Sequence, residues 1–251
     1  VPTIAATCAA YAPLSVIYTD EGRDPEYWWF EKEVDAIVVD ETIMAHQPAR
    51  YLAAGSLDAI AKFVEVHHNR GAFTPTSVPV DVYAAYHSAA TTYELLNLFT
   101  EQACADVAEG KLTEAVHTVV FCNIALTGII SSMTRGRGQA ALGHSFYNGL
   151  KTCFFDETHG YKHGELVGTG LLVQTAFDKN DELRSAVMSL LKKSNLPVTF
   201  AELGITDKEK GVRLMKNLYW DFISDPHLLV AGGIGGGKTV LLRSLIDCLA
   251  K

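Results

Sequence analysis

The chain has 251 residues, 48% of them hydrophobic, which is enough to bury a substantial core in one or two domains. Its formal net charge of −8, from 21 basic and 29 acidic residues, disfavours a protein that binds nucleic acid over its whole surface. The five cysteines are odd in number and form no Cys-x-x-Cys pair, which indicates a reducing compartment and argues against a disulfide framework or a structural zinc site.

The first forty residues are predicted to be largely extended. The runs LSVIYT (14–19) and AIVVD (36–40) are rich in β-branched residues and are bounded by Asp, Gly and Pro, a pattern typical of short strands. The segment DEGRDPEYWWF (20–30) between them predicts a hairpin or a loop with exposed aromatic side chains.

From Pro48 onward the pattern is helical. Pro48 suits a helix start, and apolar residues then recur every three to four positions, namely Tyr51, Leu52, Ala59, Ile60 and Phe63. A loop is predicted at Asn69–Val80, which contains two prolines and a glycine. Further helices are predicted at 82–108, 112–132, 137–151, 163–177 and 180–194.

Three residues of these helices are candidate metal ligands. Asp58 lies among apolar neighbours, where a buried carboxylate needs a metal ion or a neighbouring Arg or Lys. His144 lies in a run of small residues, and His163 opens another helix-like run nineteen residues later. Two imidazoles and one carboxylate can hold a catalytic divalent metal with a coordination position open for substrate. The alternative is that both are ordinary helix-terminal or half-buried histidines.

Other histidines are weaker candidates. Adjacent side chains on a helix diverge by about 100°, so His67 and His68 cannot both face one ion and are expected on the surface. His159 lies four residues before His163, and we expect it either near the site without binding metal or exposed to solvent.

Five sequence motifs resemble the glycerol dehydrogenase branch of the iron-containing alcohol dehydrogenase superfamily. In chain order they are VPTIAATCAAYAPLSVIYTDEG, PARYLAAGSLDAIAKFVEV, HSFYNGL, KHGELVGTGLLVQ and LPVTFAELGI, which span residues 1–208 in the order of that family. The resemblance implies a mainly α fold: a dehydroquinate synthase-like helical metal-binding domain with a short N-terminal β segment. It also implies that most of the N-terminal nucleotide-binding α/β domain does not precede Val1, so that this is a truncated or fused form.

The resemblance also implies a site. The metal ligands are Asp58, His144 and His163, and the metal is Zn, Fe or Ni. Residues in the positions that line the family's cofactor and substrate cleft are Thr3, Ile4, Leu14 and Tyr18. Within this resemblance, residues 1–40 are a remnant of the nucleotide-binding domain and linker, and 41–208 are the helical catalytic domain.

Three positions depart from the glycerol dehydrogenase pattern. Cys8 stands where those enzymes have an aspartate that touches the polyol, and Ala12 stands where they have a serine near the nicotinamide. The TCAA version of the motif looks like a subgroup that acts on hydroxy or keto acids, which argues against glycerol as substrate. Tyr147 replaces a histidine of the family pattern, which argues against proton relay through that position.

The C-terminal segment 209–251 carries a different motif. The sequence GGIGGGKT at 232–239 completes the phosphate-binding pattern GxxxxGK[ST], between a strand-like LLVA and a helix-like VLLRSLIDCL. Gly237 would bring backbone N–H groups to phosphate oxygens, Lys238 would reach the β and γ phosphates, and Thr239 would bind Mg²⁺. A glycine-rich turn with a chance lysine is the alternative.

Two families resemble this tail. In the dehydrogenases the pyrophosphate loop also reads GIGGGKT, but it lies before the VPTIA segment. A tail derived from that loop would therefore require a circular permutation. The tail resembles more closely the Walker A segment of FtsK-type DNA translocases. Because no acidic strand-end residue follows to hold Mg²⁺, we do not expect ATP hydrolysis by this chain alone.

The sequence therefore predicts a metal-dependent, NAD(P)-linked dehydrogenase of a small alcohol, polyol or hydroxy acid. The alternatives are a nucleotide-binding fragment of a translocase-type ATPase and a non-catalytic helical module. No apolar run approaches the roughly 20 residues that span a bilayer, so we expect a cytoplasmic protein without a membrane partner. No nucleic-acid partner is expected for the dehydrogenase part, and a homo-oligomer is compatible with it. The chain starts at Val1 without methionine or a signal segment, so we expect a fragment or a processed form.

Overall fold

The computed structural model describes residues 1–17, 19–20, 26–70, 74–135, 141–207 and 209–215, and for residues 27 and 67–70 it describes the backbone alone. Several predictions lie outside these residues. They concern Tyr18, the side chains of His67 and His68, and the whole phosphate-binding motif with Gly237, Lys238 and Thr239.

The described part of the chain is mainly α-helical, as predicted. A two-stranded hairpin precedes a bundle in which α2 packs against α3 and α8, and α6 packs against α8. The elements are β1 (Leu14–Ile17), β2 (Glu26–Trp29), α1 (Glu41–Met44), α2 (Ala49–Arg70), α3 (Val80–Ala108), α4 (Glu114–Phe121), a π-helical turn (Cys122–Leu126), α5 (Thr127–Thr134), α6 (Leu142–Cys153), α7 (Phe155–Thr158), α8 (His163–Phe177) and α9 (Asp181–Lys193).

The strand predicted at 36–40 is wrong. β1 pairs instead with β2, antiparallel and in register from Leu14 opposite Trp29 to Ile17 opposite Glu26. The run 36–40 ends at Asp40, whose carboxylate accepts a hydrogen bond of 2.9 Å from the backbone N–H of Thr42 and so caps α1. Among the described residues, 36–40 pairs with no strand, whereas 26–29 folds back on β1 and pairs with it.

The helix predicted at 112–132 is interrupted by the π-helical turn. At this turn the side-chain amide of Asn123 is buried and donates to the backbone carbonyls of Ala5 and Leu52, at 3.0 and 3.1 Å. Single π-turns inside α-helices are frequent at functional sites. The turn thus fixes the N-terminal segment against α2.

The expectation that no apolar run approaches the length needed to span a bilayer is wrong for Glu114–Thr134. Among the described residues it forms one 21-residue helical stretch that is long and apolar enough to cross a membrane. More than half of it is buried among the other helices, and the core helix of a globular protein has the same properties. The stretch is therefore weak evidence for a membrane span.

The backbones of α2 and α8 approach each other closely. A Cβ atom on Gly164 would lie 1.8 Å from the carbonyl oxygen of Ala54, which is shorter than any permitted contact. In the middle of α8, a Cβ on Gly170 would lie 2.5 Å from the carbonyl oxygen of Gly143 in α6. These two glycines set how closely α8 approaches both of its neighbours.

Substitution of Gly164 by alanine is expected to destabilise the protein. Overpacking of a buried contact costs about 1–3 kcal/mol or more, and here the obstacle is backbone, which cannot rotate away. For a chain of this size we expect the melting temperature to fall by about 5 °C or more. Circular dichroism during heating measures it. The matched control is Gly160→Ala, because a Cβ there meets nothing within 4 Å; equal melting temperatures of the two variants would contradict the packing argument.

Candidate metal centre

The structure brings Asp58, His144 and His163 to one point. Asp58 lies in the middle of α2, His144 in the first turn of α6, and His163 is the first residue of α8. One ligand atom from each lies within 4.8 Å of the other two. Nε2 of His163 is 3.2 Å and Nε2 of His144 is 3.7 Å from Oδ1 of Asp58. Two imidazole nitrogens and a carboxylate oxygen form a donor set that suits a divalent transition metal.

The Asp58 carboxylate is buried in a way that fits a cation. Its Oδ1 is inaccessible to solvent and accepts no hydrogen bond, although both imidazoles face it. A buried carboxylate oxygen without a hydrogen bond is costly unless a cation compensates it. Burial by itself would raise the pKa of this carboxyl, but His163 and His144 lower it well below its ordinary value. Asp58 is therefore ionised and directed at the point where the three side chains meet.

Glu65 is a residue of this site that the sequence reasoning missed. It is fully buried on α2, and its Oε2 lies 2.5 Å from Nδ1 of His144. Its Oε1 accepts hydrogen bonds from the backbone N–H groups of Ala141 and His144, at 2.8 and 2.9 Å. A signal was present, because Glu65 follows Asp58 by seven residues, two helical turns, and so lies on the same face of the helix.

Glu65 therefore does two things at once. It satisfies N–H groups at the start of α6, where no side chain of α6 itself caps the helix. It also accepts from Nδ1–H of His144, so that Nε2 is the ring nitrogen that faces Asp58. A carboxylate in this position fixes the tautomer and orientation of a metal-binding histidine.

Glu65 and His144 each shift the pKa of the other. Burial would raise the pKa of Glu65, but His144 and the backbone N–H groups lower it. Burial would lower the pKa of His144, but Glu65 and Asp58 raise it to about 9 in the metal-free protein. A metal ion bound at Nε2 would take the place of that proton, and the Nδ1–H bond to Glu65 would remain.

His163 is held by the start of α8. The side chain of Glu165 accepts from the backbone N–H of Lys162 at 2.7 Å and from Arg50, whose Nη2 is 2.8 Å away. Arg50 lies in the first turn of α2, so this ion pair ties the beginnings of the two helices together. On its other side the His163 ring meets Tyr147 edge-on, with ring centroids 4.4 Å apart.

Proteins of known function are similar to this chain in sequence and in fold. The chain is 33% identical over 205 residues to hydroxycarboxylate dehydrogenase A of Escherichia coli, matching 82% of this chain and 56% of that protein. It is 37% identical over 210 residues to a glycerol dehydrogenase of Pseudomonas putida, matching 82% of this chain and 55% of that enzyme. The crystal structure of glycerol dehydrogenase from Schizosaccharomyces pombe superposes with a TM-score of 0.79 at 26% identity, covering 98% of this chain and 62% of that one.

In sequence and in fold, the chain is similar to the glycerol dehydrogenases of the iron-containing alcohol dehydrogenase superfamily. This agrees with the resemblance seen in the motifs and with the predicted helical metal-binding domain. No family profile matches the chain. It spans about half the length of the curated relatives that it matches.

The N-terminal segment passes beside the centre in this glycerol dehydrogenase-like domain. The carbonyl of Ala5 packs against Gly55 of α2, at 2.0 Å from where a Cβ would stand. Three residues later, Cys8 is buried beside Asp58 and Lys62, and its thiol hydrogen-bonds to Ser131. Burial raises the pKa of this thiol, so it is protonated at neutral pH.

The structure also shows the positions of Thr3, Ile4 and Leu14, which were predicted to contact the cofactor, and of His159, a weaker metal-ligand candidate. Thr3 and Ile4 are exposed, and Leu14 is half-buried in β1. Their contact with NAD(P) stays a prediction. His159 is exposed and its Nδ1 lies 2.8 Å from the carbonyl of Asp156, outside the three-residue cluster.

Proposed function

We propose that this chain is the metal-binding part of a metal-dependent, NAD(P)-linked dehydrogenase that acts on a small alcohol, polyol or hydroxy acid. The observation that carries the proposal is the convergence of Asp58, His144 and His163 around a buried carboxylate oxygen without a hydrogen bond. These three residues are the proposed ligands of Zn, Fe or Ni. Their donor atoms suit all three metals and do not select one of them. The names of its relatives, a hydroxycarboxylate dehydrogenase and a glycerol dehydrogenase, support the reaction class.

A bound divalent metal would supply Lewis-acid activation of a substrate hydroxyl, and NAD(P) would accept the hydride. The chain's own residues do the rest. Asp58 supplies the anionic ligand, and Glu65 holds His144 in the tautomer that presents Nε2. Arg50 and Glu165 hold the helix start that presents His163. On the N-terminal segment, Cys8 is buried with a protonated thiol.

The remaining parts of the proposal concern what lies around this centre. Residues 1–40 would contribute to the nucleotide cleft through Thr3, Ile4, Leu14 and Tyr18, and residues 41–208 would be the catalytic helical domain. Residues 209–251 would be a phosphate-binding tail that acts through Gly237, Lys238 and Thr239. A cytoplasmic location and a homo-oligomeric state belong to the same proposal.

Metal titration of the purified chain tests the proposal. We expect one Co²⁺ per chain, with the visible absorption of a low-symmetry site that contains nitrogen ligands. We expect negligible reduction of NAD⁺ with glycerol or glycolate, because the chain spans about half the length of its active relatives. Absence of specific Co²⁺ binding would overturn the metal centre. Robust NAD-linked turnover would show that a complete cofactor site lies within these 251 residues.

A further inference from the structure

The two histidines of the metal centre are supported in different ways. Nδ1 of His144 is held by the carboxylate of Glu65. Among the described residues, the side chain of His163 makes its one polar contact through Nε2, with Asp58. A metal-binding histidine almost always has a second partner that fixes the orientation of its ring. For His163 that orientation must come from contacts other than a hydrogen bond.

The backbone of His163 is held firmly, but its ring is not held by the helix itself. The next residue, Gly164, packs against the carbonyl oxygen of Ala54 in α2. Rotation about χ2 of a histidine has broad, roughly two-fold energy wells. A half turn about this bond would put Cε1 where Nε2 stands. Because 32% of the His163 side chain is exposed, solvent does not prevent this rotation.

The ring of Tyr147 makes a contact that restricts the rotation. Its centroid lies 4.4 Å from that of the His163 ring, and the two planes meet at 76°. Only 6% of Tyr147 is exposed, so its ring is itself held by close packing. The ring of His144 adds a second contact, with its centroid 5.5 Å from that of His163.

We propose that the aromatic ring of Tyr147 positions the His163 imidazole so that Nε2 is presented to the metal ion. This inference rests on the proposed metal-dependent function. Tyr147 follows His144 by three residues on α6, so one helix carries a ligand and also the support of a ligand from another helix. In this role the ring acts and the hydroxyl does not, which separates it from a proton relay at the same position.

Loss of the ring is expected to weaken metal binding because it releases the imidazole. When only a fraction of the chains has the binding orientation, the apparent dissociation constant rises by the inverse of that fraction. The contact between two aromatic rings corresponds to roughly a 3- to 10-fold change in an equilibrium constant. We therefore expect Tyr147→Leu to weaken Co²⁺ binding by about 3- to 10-fold in the full chain, measured by titration of the visible Co²⁺ spectrum. At saturation the spectrum should match that of the wild type, because the ligands are the same.

Two further variants separate this role from the hydroxyl and from stability. Tyr147→Phe keeps the ring, so we expect it to retain the Co²⁺ affinity of the wild type. Phe146→Leu removes a fully buried ring from the neighbouring position of α6, where the ring contact is with Phe200. We expect this control to lower the melting temperature and to leave the Co²⁺ affinity unchanged.

The two proposals fail in different ways. If the wild-type chain takes up no Co²⁺, the proposed function is wrong and this inference fails with it. If Co²⁺ binds equally to the wild type and to Tyr147→Leu, the role of Tyr147 is wrong and the metal centre stands. The same conclusion follows if Tyr147→Phe or Phe146→Leu loses as much affinity as Tyr147→Leu.

Nuclear magnetic resonance of the metal-free wild type decides the question should Tyr147→Leu not fold. A ring held in one orientation at this distance gives nuclear Overhauser effects between the ring protons of Tyr147 and those of His163, and we expect to observe them. Their absence would overturn the inference.

Discussion

Substitution of Asp58 by asparagine is expected to abolish high-affinity metal binding. Loss of an outer-shell partner costs about 10- to 100-fold in metal affinity, and we expect the loss of this anionic ligand to cost more. The amide keeps the shape of the side chain but removes the charge that compensates the ion. Isothermal titration with Zn²⁺ or Co²⁺ measures the affinity directly.

The same substitution should also abolish stabilisation by metal. A ligand at 100 times its dissociation constant stabilises the folded state by about 2.7 kcal/mol, which corresponds to a rise of about 5–10 °C in melting temperature for a chain of this size. We expect this rise in the wild type and in the control Asp35→Asn, where the aspartate side chain is 85% exposed. A metal-dependent rise that persists in Asp58→Asn would place the metal elsewhere.

Substitution of Glu65 by glutamine is the second change with a large expected effect. The amide oxygen can still accept from the two backbone N–H groups at the start of α6. The amide NH₂ then faces Nδ1 of His144 and donates to it, which moves the imidazole proton to Nε2 and blocks that atom as a ligand. We expect metal affinity to fall by about 10- to 100-fold with little change in helix content. The control is Glu101→Gln, at an exposed position.

The pH dependence of metal binding separates this positioning role from a structural one. The folded pKa of His144 is raised to about 9, so its proton stabilises the metal-free fold fully below about pH 6.5 and this contribution is lost as pH rises through 9. Metal binding displaces that proton, so affinity should rise by about tenfold per pH unit from pH 7 toward 9. Glu65→Gln removes the carboxylate that raises this pKa, so the rise should end at lower pH. Identical pH profiles for both proteins would contradict the assigned role of Glu65.

Several helices could be predicted from local sequence because their signals are local. The predicted 163–177 matches α8, and the predicted 180–194 differs from α9 by one residue at each end. At α9 the side chain of Asn180 accepts from the backbone N–H of Leu183, a cap contained within four consecutive residues. Apolar periodicity and a cap of this kind do not depend on the rest of the chain.

The start of α6 could not be predicted in the same way. The prediction began this helix at 137, but Ala141 has non-helical backbone angles and α6 begins at Leu142. The N–H groups there are satisfied by Glu65 of α2 and by Gln174 of α8, whose side chain accepts from Leu142 at 2.8 Å. Because these acceptors lie 76 and 32 residues away in sequence, no local pattern reveals the boundary.

The sequence by itself determined which residue types are available to bind a metal and the helices that carry Asp58, His144 and His163. It determined this because helical periodicity is local and because the motifs preserve the identity of each residue. Only the tertiary structure decided that the three side chains meet and that Glu65 orients His144. These facts depend on how closely α2, α6 and α8 approach each other. That approach is set by backbone contacts such as Gly164 on Ala54, which join residues 110 positions apart and leave no periodic trace in the sequence.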